Sequence, residues 1–414
     1  MPSLEKILKI QLVLILCFGM PNLMMDIYAP KLHTITTMVL YTTALFTMSY
    51  VVRQRQYKRI FIFYIIYFLI YSLVIYFDLT TERKYPLSEM LGCPQSIGAF
   101  ISTTFVILFF ILQAPLYQKV KDISFLVKWY IILNLPLVLL YIRTVGVAEI
   151  QFDESITDIS TLTLSSAASN CLLLALIFKN SFTKSKLINK IILLVVFAAT
   201  MYVWGSLAKR GAILWFFVSL AIYYIAKSKN IKITLFKVCA IAAIVYLSAT
   251  FIVNALEGIA PHLASRVELT LVEGHTSGRM EEDGAFAIST QQFQRDPMLG
   301  SYFRIVTSNP LWQGMYPHNI ILEMLITFGI VGTAPFIYFL ILIFIKFRES
   351  FMDKTIGNNA TMKVIGIMFI NILLSLMSTG TILLRLPFWI SIAILLTANN
   401  KHNDKLLYNN TAQK

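Results

Sequence analysis

Along these 414 residues, stretches of roughly 18 to 23 side chains pass again and again with almost no charge, and that length decides what the chain can fold into. A helix rises about 1.5 Å per residue, so each stretch matches a hydrocarbon core about 30 Å thick. Backbone groups find no water there, which leaves helices that satisfy their own N–H and C=O groups, or closed barrels. The alternating ten-residue pattern of barrel strands is missing from the sequence. An all-α, polytopic membrane protein is therefore expected, with spans near residues 7–25, 34–52, 60–77, 95–115, 124–144, 160–178, 188–207, 211–226, 234–255, 319–345, 362–380 and 386–398. A hydrophobic share of 57% against 14% charged residues excludes an ordinary soluble domain. The last span is short and the second is rich in threonine, which makes both candidates for re-entrant segments.

These twelve spans divide the chain into helices 1–9 over residues 1–256, a large polar loop over 257–317, helices 10–12 over 318–398 and a polar tail over 399–414. Basic residues gather in cytoplasmic loops. With the N-terminus inside, alternation puts 24 of the 35 lysines and arginines in inner loops and 11 in outer ones. The N-terminal apolar stretch lacks a small-x-small cleavage site, so it reads as an uncleaved first helix. Localisation in a bacterial inner membrane, with the large loop facing the periplasm, is the expectation. The two cations sort differently: 20 of 23 lysines fall inside, whereas 8 of 12 arginines fall outside. Arginine's planar fork binds phosphate through paired hydrogen bonds, so arginines kept on the unfavoured side point to a phosphorylated ligand.

The large loop also concentrates the titratable side chains, among them Arg279, Arg304 and His318. Residues 259–271 and 281–295 read as short amphipathic helices, the second with Glu281, Glu282 and Asp283 in its opening turn. Lys209 and Arg210 join two spans through almost no loop, which holds two cations at the outer surface. His318 precedes Asn319 at the mouth of a span, and Asn319 and Glu323, four apart, share a helix face. A histidine at such a boundary titrates near neutrality and can take a proton from a hydroxyl.

Other chemistries lack a pattern. His262, His275 and His318 have no second ligand at helical spacing, so no metal is expected, and no cofactor motif or glycine-rich phosphate loop occurs. The four cysteines show no CxxC spacing. Nucleic acid is not an expected partner; the net charge of +14 is mostly lysines that anchor inner loops to anionic membrane lipids.

Four motifs occur in order: Ser206-Leu207-Ala208-Lys209-Arg210-Gly211; Ser277-Gly278-Arg279-Met280; Pro297-Met298-Leu299-Gly300; and Pro317-His318-Asn319 running into Phe328-Gly329-Ile330-Val331-Gly332. Over residues 200–335 the chain resembles the O-antigen polymerase and ligase superfamily, whose fold is a helical bundle of the GT-C kind. The resemblance implies an inverting glycosyltransferase that uses undecaprenyl-diphosphate-linked oligosaccharide, without metal or nucleotide sugar. By that likeness Arg210 and Arg279 bind the diphosphate and His318 is the catalytic base, with Lys209, Asn319, Glu323 and Arg304 in support. A chain-length regulator protein is a further implied partner. Ligases of the superfamily often carry a second histidine just ahead of the His-Asn pair, where this chain has Met315-Tyr316-Pro317. Polymerase is accordingly the first expectation and ligase, which passes the glycan to lipid A-core, the alternative. A lipid-linked oligosaccharide flippase is a lower one, because transporters place ionisable groups at mid-membrane.

Overall fold

The computed structural model describes residues 4–16, 30–52, 59–80, 97–145, 161–207, 210–247, 285–300, 319–352, 360–377 and 386–397, together with isolated positions between 253 and 268. Regular structure among them is helical throughout: α1 Leu4–Leu16, α2 Pro30–Val52, α3 Arg59–Thr80, α4 Ile97–Gln113 with a 3-10 turn at Ala114–Lys119, α5 Ile123–Val145, α6 Thr161–Ile177, α7 Lys186–Leu207, α8 Arg210–Lys227, α9 Ile231–Leu247, α10 Ala285–Arg295, α11 Ile320–Met352, α12 Ala360–Leu376 and α13 Leu386–Thr397. Five helices, α3, α4 with its 3-10 extension, α5, α7 and α11, are long and apolar enough to cross a membrane. Shorter apolar helices α6, α8, α12 and α13 accompany them.

Helix starts follow capping chemistry. The first turn of a helix leaves N–H groups unbonded, and a short polar side chain just ahead can accept from them. Asp122 accepts from Phe125 N at 3.0 Å to open α5, Ser185 from Ile188 N at 3.4 Å to open α7, and Asn230 from Ile233 N at 3.3 Å to open α9. Partial burial pushes the Asp122 carboxyl up, but that Phe125 N–H and the Lys9 ammonium 3.1 Å away together hold it below its ordinary range. The same ion pair fixes the start of α1 against the start of α5.

Long-range contacts show which helix ends share a side. Gln118 Nε2 donates to the Ile394 carbonyl at 2.7 Å, and the Lys346 ammonium to the Leu396 carbonyl. Tyr223 meets Phe351 edge-on at 5.1 Å, and Lys363 sits 5.7 Å over the same ring. The lysine-bearing ends of α1, α5, α8, α11 and α12 therefore meet beside the end of α13, as alternating crossings require.

The core runs along α13. Eleven of its twelve residues are buried, so it is apolar on every side, as a helix enclosed by others must be. Trp389 fills the gap between α13 and α3, with its ring 4.7 Å from Tyr71 and 5.2 Å from Phe68, while Tyr64 donates to the Trp389 carbonyl at 2.7 Å. By contrast α2 turns Ile35, Met38, Val39, Leu45 and Phe46 outward, the pattern of a peripheral, lipid-facing helix.

Candidate functional site

The expected site residues divide sharply. Lys209, Arg279, Arg304 and His318 lie outside the described residues, as do Glu281, Glu282, Asp283 and most of residues 259–271. Arg210 is described through its backbone as the first residue of α8. Asn319 and Glu323 are described in full.

Asn319 caps α11. Its Oδ1 accepts from Ile321 N at 3.0 Å and Leu322 N at 3.1 Å, while its Nδ2 donates to the Met377 carbonyl at 3.4 Å. Both ends of the amide are engaged, so Asn319 serves the site by fixing the helix tip that follows residue 318 to the end of α12. Glu323, one turn on, is only 1% exposed, and its backbone carbonyl accepts from Thr327 Oγ1 at 2.6 Å. The shared face expected for Asn319 and Glu323 thus points into the protein at Glu323.

A ladder of hydrogen bonds relates Arg210 to Asn319. Ser219 Oγ donates to Asn371 Oδ1 at 3.2 Å, and Asn371 Nδ2 donates to Asn170 Oδ1 at 2.8 Å, which ties α8, α12 and α6 together. Arg210 lies nine residues before Ser219, and Met377 six residues after Asn371. At about 1.5 Å per residue these offsets are about 13.5 and about 9 Å, so the start of α8 and the cap of α11 stand at the same end of the bundle, at depths that differ by about one helical turn. It is the end opposite the lysines. Ser169, beside Asn170, accepts from Trp204 Nε1 at 3.0 Å, which adds the end of α7. The sequence reading missed this network, although a lone asparagine in an apolar span is a visible signal, since an amide buried in hydrocarbon needs a partner.

A second finding lies where the motifs at 297–300 and 328–332 meet. α11 breaks at Gly329, whose φ of 61° and ψ of −165° fall in a region only glycine occupies readily. Residues 320–328 precede the break and 330–352 follow it. A helix restarting at Ile330 has unbonded N–H groups. Two of them are met by the preceding turn: Ile330 N donates to the Pro297 carbonyl at 2.9 Å and Val331 N to the Met298 carbonyl at 3.2 Å. The turn closes through Gly300, itself at φ 74°, whose N–H donates to the Asp296 carbonyl at 2.9 Å. The backbones touch so closely that a Cβ on Gly329 would stand 2.3 Å from Met298 backbone atoms, and one on Gly300 would stand 2.6 Å from Gly329 N. Two motifs thirty residues apart thus form one backbone clasp, and α10 leads into it from the large loop.

Beneath the clasp, Tyr67 donates to the Gly332 carbonyl at 3.0 Å and Phe328 lies 5.4 Å from the Tyr71 ring. No group of three or more histidine, cysteine, aspartate or glutamate side chains close enough to hold a metal occurs among the described residues. A shallow apolar depression on α2, lined by Ile35, Met38, Val39, Thr42 and Thr43, carries no titratable group. No protein-family model matches the chain, and no curated protein matches it significantly by sequence.

Proposed function

We propose that the chain is an O-antigen polymerase: a twelve-span, inverting glycosyltransferase of the bacterial inner membrane that moves a growing glycan from undecaprenyl diphosphate onto a new lipid-linked repeat unit at the periplasmic face. The observation that carries this reading is the clasp, because two motifs on which the family resemblance rests touch each other through backbone hydrogen bonds, at the base of the helix that follows His318. The nearby start of α8 brings the backbone of Arg210 to the same end of the bundle.

In the proposed reaction the acceptor hydroxyl attacks the anomeric carbon in line with the departing diphosphate. His318 takes the hydroxyl's proton as the new glycosidic bond forms and the bond from the anomeric carbon to the diphosphate oxygen breaks. Arg210 and Arg279, supported by Lys209 and Arg304, meet the charge that develops on the leaving diphosphate. That leaving group departs as an anion, so the reaction needs no strong acid and no covalent enzyme intermediate. Purified protein given synthetic lipid-diphosphate repeat units, without metal or nucleotide, is expected to lengthen the glycan. His318→Ala should slow this by about 10² to 10⁴, the usual contribution of a general base. Lengthening at an unchanged rate would remove His318 from the mechanism.

The break in α11 favours a second reading, since transporters build substrate sites from discontinuous helices. Detergent solution separates the two: with no membrane to cross, a flippase leaves glycan length unchanged. Transfer to lipid A-core in place of a repeat unit would instead identify a ligase.

A further inference from the structure

The clasp exposes an apolar tip in an otherwise polar segment. Along α10 the outward residues are Thr290, Gln291, Gln294 and Arg295, followed by exposed Asp296. Met298 and Leu299 then stand 57% and 62% exposed, against Ile330 and Val331 at 49% and 53%. The hydrogen bonds of the clasp hold these four side chains on neighbouring backbone, so they form one patch. Soluble surfaces seldom carry such a patch without a partner.

Depth along α11 indicates what covers it. Below the break the helix turns Tyr338, Ile341, Phe344 and Ile345 outward, a lipid-facing stripe that begins at Ile330 and Val331. It ends at Lys346 and Arg348, the basic pair that marks one membrane boundary. From Ile330 to those residues the helix rises about 24 to 27 Å, against a hydrocarbon core of about 30 Å. A common tilt of about 20° shortens that rise only slightly. The clasp therefore lies just inside the opposite boundary, with Arg295 and Asp296 at the level of the headgroups. The hydrogen bonding agrees: the N–H groups of Ile330 and Val331 take protein carbonyls in place of water, as backbone in hydrocarbon must.

We propose that the turn at residues 297–300 is docked in the membrane, with Met298 and Leu299 inserted among the acyl chains of the leaflet opposite the lysine end. The large loop is then anchored to the bilayer at its base and is not wholly aqueous. Arg295 and Asp296, just ahead of the turn, are held at headgroup depth, where a lipid-borne anionic group resides. This inference stands apart from the transfer reaction and is tested without it.

With the four native cysteines replaced by alanine, a fluorophore on a single introduced cysteine tests the depth in full-length protein reconstituted into phosphatidylcholine–phosphatidylglycerol vesicles. Met298→Cys and Leu299→Cys, placed separately, guard against one failing to fold, and Gln294→Cys serves as the aqueous control. The 298 and 299 labels should lose most of their emission when the lipids carry bromine on their acyl chains, and little with iodide in the buffer. The 294 label should do the reverse. Quenching of 298 and 299 by iodide and not by brominated lipid would overturn the proposal, because the tip would then face water. Protection from both quenchers would also overturn it and would point to a protein surface over the patch.

Discussion

Replacing Gly329 with alanine tests the clasp directly. The new methyl group would stand 2.3 Å from the Met298 carbonyl carbon and oxygen and 2.6 Å from Leu299 N, where carbon contacts ordinarily begin near about 3.5 Å. Those atoms are backbone and cannot swing aside, so the turn has to leave α11. Detachment loses the two hydrogen bonds to Ile330 and Val331, at about 0.5–1.5 kcal/mol each. An alanine kept at φ 61° and ψ −165° adds strain of about 1–3 kcal/mol. The total is about 2–6 kcal/mol. For a chain of this size we take about 1–2 °C per kcal/mol, extrapolated from smaller domains, so the thermal midpoint in detergent should fall by roughly 2–12 °C. Hydrogen exchange of a peptide covering residues 326–334 should quicken. Gly258→Ala is the control, because a Cβ there meets nothing within 4 Å. Gly300→Ala should resemble Gly329→Ala, since its methyl group would meet the same backbone from the other side, and the double variant should cost less than the sum, because a detached turn has nothing left to clash with. A Gly329→Ala protein that matches Gly258→Ala in both midpoint and exchange would refute the clasp.

Three further outcomes are expected. Arg210→Lys and Arg279→Lys keep the charge but lose the fork, so each should cost about 2–4 kcal/mol of transition-state stabilisation in the lengthening assay, by analogy with lost oxyanion donors; normal glycan chains from both would reduce these residues to interfacial charges. In the ladder, Asn371→Leu removes the hydrogen bonds that Asn371 makes with Asn170 and Ser219; a thermal-stability cycle with Asn170→Leu should return a coupling of about 0.6–1.7 kcal/mol, as for polar pairs between membrane helices, and strict additivity would show that the two amides do not depend on each other. For sidedness, a cysteine at exposed Gln291 should react with an impermeant thiol reagent from the periplasmic side, whereas one at fully buried Ser289 should not; labelling of Gln291→Cys only after inner-membrane lysis would invert the proposed orientation.

Local chemistry made much of this architecture legible. Each long apolar stretch holds a helix because the run length and the lack of charge suit no other form in hydrocarbon, and helix starts fall where Asp122, Asn230 and Asn319 can cap. The near-absence of a loop around Lys209 and Arg210 was legible too, with α7 ending at Leu207 and α8 starting at Arg210. Contacts between distant residues were not. Asn170 and Asn371 are 201 residues apart, and periodicity on one helix cannot say which amide faces which. Gly329 reads as an ordinary glycine in an apolar run, and only the approach of Pro297 and Met298 makes the break stable. Of the 281–295 helix expected from the sequence, the described part runs Ala285–Arg295, and Glu281, Glu282 and Asp283 lie outside the described residues. At the site, Asn319 is expected only in support, and its amide is occupied in holding the helix tip.

The enclosed position of α13 bears on how such a protein is made. Its twelve described residues extend about 18 Å, and eleven of them are buried. Helices α1, α3, α4, α11 and α12 all pack around it, and every one of them leaves the ribosome first. During synthesis those helices must stand in the membrane around a vacant centre, with Tyr64, Tyr71 and Phe68 facing lipid or the insertion machinery until Trp389 arrives. The packing of those helices around a common axis is therefore completed only once α13 has been made. A lesion in α13 would strand a fully inserted but hollow assembly, open to quality-control proteolysis, with no fault in any of the helices that face the membrane.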